Sequence, residues 1–139
     1  MIQKQFLPYD LALKVCELSF NEHCFGYYKS NNNHVQFPNN ISYTSSRKKV
    51  KDMFGDKSFL APTYQQTFNF FRENFETNGQ VSYCTYGIES CNGWSFTTDN
   101  PTGKQHWNGK FETYEEAQLS CIKHMIDINY NLIYTDENE

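Results

Sequence analysis

The chain has 139 residues, a formal net charge of -4 and a pI near 5.5, a balance that excludes bulk electrostatic affinity for nucleic acid. Mean hydropathy is -0.75, and no run approaches the ~20 apolar residues of a membrane span. The length suits one domain, and 17% aromatic residues make rings the main source of apolar burial.

The first segment, MIQKQFLPYD, lacks an apolar signal core, which predicts a cytosolic protein. There the sequon Asn40-Ile41-Ser42 carries no glycan. Leu7 to Phe20 reads as a helix, with Pro8 and Asp10 in its first turn and a stripe of Leu11, Val15 and Leu18 flanked by Ala12 and Cys16. Cys24 to Lys29 and His34 to Phe37 read as a hairpin around the polar loop of residues 30–33, and Pro38 ends it. Residues 39–60 read as a long loop with a basic run of Arg47, Lys48, Lys49 and Lys51.

Ala61 to Phe75 reads as the central helix. Tyr64, Phe68, Phe71 and Phe75 recur at helical spacing on one face, and Thr63 with Gln66 forms a capping box behind Pro62. Gln80 to Cys91 and Trp94 to Thr98 flank Asn92-Gly93, a two-residue turn that pairs Cys91 with Trp94 and Glu89 with Phe96. Val81, Tyr83, Thr85, Trp94 and Phe96 then share a face beneath the Phe68 and Phe71 rings. Residues 99–109 are turn-rich, with Asn108-Gly109 as a second tight turn and Lys110-Phe111 beginning a short strand. Thr113 and Glu116 cap the last helix, whose buried stripe is Ala117, Cys121, Met125 and Ile128, widened by Tyr114 and Ile122, with its end near Asn129. The expectation is α+β: three helices packed on antiparallel β-hairpins in the order α-ββ-loop-α-ββ-α, with residues 1–130 forming a single domain and 131–139 an acidic tail.

Chemical signatures are sparse. Cys16, Cys24, Cys84, Cys91 and Cys121 form an odd set without a CxxC pair, which predicts buried thiols. Cys121 and His124 lie three apart on one helix, and His23 with Cys24 supplies a second pair, yet neither has zinc-knuckle spacing, so no metal is expected. GxSxG, GxxxxGK and GxGxxG are absent, and capping explains Glu115 and Glu116, so neither catalysis nor a cofactor is expected. Tyr27, Tyr28, Tyr43, Tyr83, Tyr86, Trp94 and Trp107 exceed what a small core requires, and rings among amides and lysines suit stacking on a planar ligand. The candidate ligand-binding residues are therefore Arg47, Lys48, Lys49, Lys51, Tyr86, Trp94, Lys104, His106 and Trp107, with His106-Trp107 between Lys104 and Lys110 the most site-like local cluster. The bland alternative makes the rings core residues and the basic run a solvated loop.

Leu7-Pro8-Tyr9 with Leu11-Ala12, Phe20-Asn21-Glu22 with Cys24, Ala61-Pro62-Thr63 with Gln66, Phe71-Arg72 and Tyr114-Glu115-Glu116-Ala117 carry a resemblance. These helical pieces, about a third of the chain, resemble a family of small proteins encoded by phages and prophages of gut Bacteroidetes. The resemblance implies a small phage accessory protein; together with the missing catalytic signature and the surplus of rings and amides it leads to the expectation of a non-enzymatic protein of the host cytosol that acts by binding. It would counter host defence by sequestering a nucleotide-derived immune signal or blocking a host protein. The alternatives are a nucleic-acid-associated module using residues 47–51, which the net charge disfavours, and a minor virion protein. An exposed strand edge would permit a homo-oligomer.

Overall fold

The computed structural model describes residues 5–29, 32–37, 50–51, 55, 57–84, 93–99 and 105–136, excepting the side chains of Cys84 and residues 132–136. The element order is α1 (Tyr9–Glu17), β1 (Gly26–Tyr28), β2 (Phe59–Ala61), α2 (Tyr64–Phe75), β3 (Asn78–Cys84), β4 (Gly93–Asp99), β5 (Gln105–Phe111) and α3 (Tyr114–Asp136). This is an α+β protein with antiparallel sheets of two and three strands. The chain divides into two compact units, residues 1–67 and 68–139, with the boundary inside α2.

In the first unit α1 buries Leu11, Ala12, Val15 and Cys16, the stripe its spacing predicts. It is shorter than the expected span and stops at a left-handed cap. Ser19 has φ +74, its N–H donates to Cys16 O at 3.1 Å, and the Phe20 N–H reaches back to Val15 O at 3.4 Å. Both carbonyls are thereby satisfied, and the buried Val15 and Phe20 side chains complete the Schellman pattern.

The expected first hairpin is reduced to a single bridge. Tyr27 exchanges both backbone hydrogen bonds with Gln36 (2.9 and 2.8 Å), while the full partner of β1 is β2, in the register Gly26↔Ala61, Tyr27↔Leu60 and Tyr28↔Phe59. Residues 39–60 are therefore not loop throughout: Phe59 and Leu60 are strand, and Val50 and Lys51 are helical. All three residues of β1 and all three of β2 are buried, so the polar alternation that marks a half-exposed strand is missing. Tyr9, Tyr28 and Phe59 form a ring trio with centroids 5.0–5.6 Å apart, and the Tyr28 hydroxyl donates to Leu7 O.

Ala61 belongs to β2, and α2 starts three residues later behind the predicted capping box. The Gln66 N–H donates to Thr63 Oγ1 (3.1 Å), and the Thr63 N–H donates to Gln66 Oε1 (3.0 Å). In the expected aromatic stripe Phe71 is buried and Tyr64, Phe68 and Phe75 are half-buried, while Thr67 and Phe70 bury fully beside them. The buried face is rotated toward the Thr67 and Phe70 side.

In the second unit β3, β4 and β5 form an antiparallel meander. The predicted two-residue turn is replaced: Trp94 pairs with Tyr83 rather than Cys91, and Phe96 with Val81 rather than Glu89. Residues 85–92, including Thr85 and Asn92, lie outside the described set. Trp94's partner moves by an even number of residues, so Val81, Tyr83, Trp94 and Phe96 still share a face. Asn108-Gly109 is not a turn but part of β5, where Gly109 and Lys110 together oppose Ser95 in a bulge and Lys110 takes φ +70.

α3 packs on β3 and β4 and more sparsely on β5. It buries Ala117, Cys121, Ile122, Met125, Ile126 and Asn129, leaves Ile128 half-buried and Tyr114 exposed, and continues past Asn129 to Asp136. A Cβ at Gly79 would meet Met125 Sδ at 2.7 Å, Cys121 Sγ at 2.8 Å and the Phe68 ring at 3.0 Å. The helix therefore rests on strand backbone there, with Phe68 alongside. Asn129 Nδ2 donates to Thr77 Oγ1 (3.2 Å) and Met125 O (2.9 Å), and the Thr77 hydroxyl donates to Phe75 O (3.2 Å).

This packing sets the direction of two stability changes. Ser19→Gly relieves a left-handed L-residue and should stabilise the first unit by up to about 1 kcal/mol, read by urea titration. Asn129→Ala leaves the buried Thr77 hydroxyl short of a partner and should cost about 1–3 kcal/mol, whereas combining Asn129→Leu with Thr77→Val should recover much of that loss.

Candidate functional site

The described ligand candidates fall in different surroundings. Lys51 is a half-buried residue of the first unit, whereas Trp94, His106 and Trp107 belong to the three-stranded sheet. Arg47, Lys48, Lys49, Tyr86 and Lys104, like Tyr43, lie outside the described residues. Tyr27 and Tyr28 are core residues, with the Tyr28 pKa pushed up to about 12 by burial and then by the nearby Tyr64.

His106 and Trp107 do not form one cluster. They are consecutive in β5, so strand alternation sends their side chains to opposite faces. Trp107, 53% exposed, folds over Gly109, where an added Cβ would strike its ring at 2.4 Å. This packing on its own strand gives Trp107 a structural use on the face away from α3.

His106 lies on the α3 side, opposite Thr98, and stacks on His124 with ring centroids 4.1 Å apart at 24°. Phe96 flanks both imidazoles at 6.3 and 5.9 Å. Burial lowers the His124 pKa, the His106 charge lowers it further, and Asp127 opposes both. The buried Thr98 Oγ1 on this face has no hydrogen-bond partner among the described residues. The paired rings fasten β5 to α3 most comfortably when at least one is neutral.

Tyr83, Trp94 and Tyr114 form a row at the other end of the same face. Trp94 meets Tyr83 at 5.1 Å and 68° and Tyr114 at 5.3 Å and 78°, both edge to face. Tyr83 is 53% and Tyr114 41% exposed, with Trp94 half-buried between them. Register places Tyr83 beside Trp94, and the Thr113 cap places Tyr114 over it: Thr113 Oγ1 accepts the Glu116 N–H at 3.1 Å and starts α3 at Tyr114. The Tyr114 hydroxyl also accepts from Gln118 Nε2 at 3.3 Å. Tyr114 carries no ligand-binding signal in the sequence, and His124 is notable there only for its spacing from Cys121. Tyr114 is legible there only as the first residue after a cap, where a helical stripe reaches its rim.

The described thiols of Cys16, Cys24 and Cys121 are buried. Burial pushes the Cys121 pKa up to about 12 and that of Cys24 higher still, and Cys24 Sγ lies 3.5 Å from Glu22 O. Cys121 packs toward Gly79, while His124 turns to His106. Among the described residues no group of three or more His, Cys, Asp and Glu side chains is arranged to hold a metal, and no helix is long and apolar enough to cross a membrane.

The fold and this face define an α+β protein with an exposed aromatic row on one unit. No family model, curated protein or solved structure matches the chain.

The lowered His124 pKa has a signed consequence. The folded state disfavours protonation, so stability from this residue is full above the ordinary value of 6.5 and declines as pH falls below it. In an imidazole NMR titration His124 should titrate on the acid side of 6.5, and His106→Gln should move its midpoint upward. An unchanged midpoint would remove the coupling.

Proposed function

We propose that the protein acts by binding rather than by catalysis, with Tyr83, Trp94 and Tyr114 as its contact face. The observation that carries this reading is the row itself: three rings from two strands and a helix, locked edge to face, with its two outer members open to solvent. Rigid rings lose little entropy on binding and offer broad apolar area with polar rims, the composition that recurs at recognition surfaces. The resemblance of the helical segments to phage-encoded accessory proteins supports a role in the host cytosol against host defence. In that role the rings would hold either a host protein or a nucleotide-derived signal.

The test compares the natural protein with a Tyr83→Leu/Tyr114→Leu variant, which keeps apolar bulk at two exposed positions. Thermal shift against cyclic dinucleotides and ADP-ribose, alongside pull-down from host extract, should show a ligand or partner whose retention the variant weakens. Retention identical in both proteins would place binding elsewhere and overturn the assignment.

A further inference from the structure

His106 and His124 stand apart from the proposed contact face, and their stack joins β5 to α3, two elements that otherwise touch sparsely. Phe96 lies against both imidazoles and is 2% exposed. Thr98, the register partner of His106, is buried as well. His106 is exposed while His124 is half-buried, so the strand's imidazole is the one with solvent to swing into.

A face-to-face pair at 4.1 Å holds while at least one ring is neutral, and two imidazolium rings at that separation repel. The charges on the packed elements do not cancel the repulsion. β3 carries no side chain charged near neutrality, and Asp99 of β4 follows Thr98, so alternation sends it to the face away from α3. Lys110 of β5 and Lys123 of α3 are cations and add to the repulsion. Glu115 and Glu116 lie about two helical turns before His124, which leaves Asp127, three residues on, as the nearby carboxylate. Burial opposes charge on His124, the His106 charge opposes it further, and Asp127 favours it. The closed arrangement also leaves the buried Thr98 Oγ1 without a hydrogen-bond partner among the described residues, a cost that water relieves once the neighbouring ring moves.

We infer that the His106–His124 stack is an acid-released clasp: below neutrality the His106 ring swings off α3, unfastening β5 from the helix and uncovering Phe96 while the strand ladder stays in place. Opening returns His124 to water, where it takes up a proton more readily. The clasp is therefore closed above the ordinary value of 6.5 and opens as pH falls below it. Each proton taken up on opening shifts the equilibrium by up to about tenfold per pH unit.

The measurement is NMR of the full chain between about pH 8 and pH 5, the window of histidine titration. Contacts between the two imidazoles, and from His106 to the Phe96 ring, should be present at the upper end and lost at the lower. Amide shifts of the β3 and β4 ladder should stay constant throughout. His106→Phe keeps a ring on His124 without a second charge, and its contacts to His124 and Phe96 should survive at the acid end. His124→Gln leaves no imidazole to repel His106, so the His106 contact to Phe96 should become independent of pH. Circular dichroism shows whether each variant folds, and either one suffices for the comparison. Inter-ring contacts that persist after both imidazoles have titrated overturn the inference. So does their loss together with the ladder shifts, which would be general unfolding, and so does acid loss of the ring contacts in His106→Phe to the same extent as in the natural protein.

Discussion

The second unit depends on the close approach of α3 to β3 at Gly79. With no side chain there, Cys121 and Met125 sit against strand backbone, and this contact sets the height of the helix over the sheet. From Tyr114 beside Trp94 to Met125 beside Gly79, α3 follows the direction of β4. Phe96, beneath the middle of that path, is 2% exposed, whereas Tyr83, on the same face but beyond the helix start, is 53% exposed. One face thus supplies both core and exposed rings, and where the helix begins decides which residue is which.

Polar groups fix the ends of this arrangement. Thr113 starts α3, and the buried Asn129 joins it to Thr77, immediately beyond the left-handed Glu76 that follows α2. Apolar packing alone would tolerate sliding by a turn, while an amide that must reach one hydroxyl and one carbonyl does not. His106 and His124 add a third tie, between β5 and the helix. It differs from the others in being titratable, because two imidazolium rings at this spacing repel.

How much of this the sequence displays depends on how local the cause is. The capping box at Thr63 and Gln66 is a four-residue pattern, and both of its hydrogen bonds form. The buried stripe of α1 follows from spacing alone. Asn-Gly pairs are less decisive, since the same backbone freedom serves a turn or a bulge; Asn108-Gly109 opens the bulge of β5, and Gly93 begins β4 with φ +146. β1 and β2 bury both faces, so their partnership across some thirty residues leaves no alternation to read. Asn129 reads as a helix end because Asn disfavours helix interiors, and only its tertiary partner Thr77 explains its place there. For the site, an excess of rings is visible in the sequence, but which of them remain open is not. Burial on one sheet face depends on the helix above it, and only folded coordinates place that helix start.

The same reasoning separates rings that are exposed for different reasons. Trp107 and Tyr83 have equal exposure, yet Trp107 lies over its own Gly109, where the ring shields a strand segment that lacks a side chain. Its exposed indole face is the back of a packing contact. Tyr83 has Trp94 at one edge and solvent at the other, and Tyr114 mirrors it from the helix. Removing Trp107 would uncover backbone, while removing Tyr83 uncovers only part of Trp94. A ring whose loss costs the fold little is the one free to serve a partner, and that criterion favours the Tyr83–Trp94–Tyr114 row as the recognition surface, with Trp107 as scaffold.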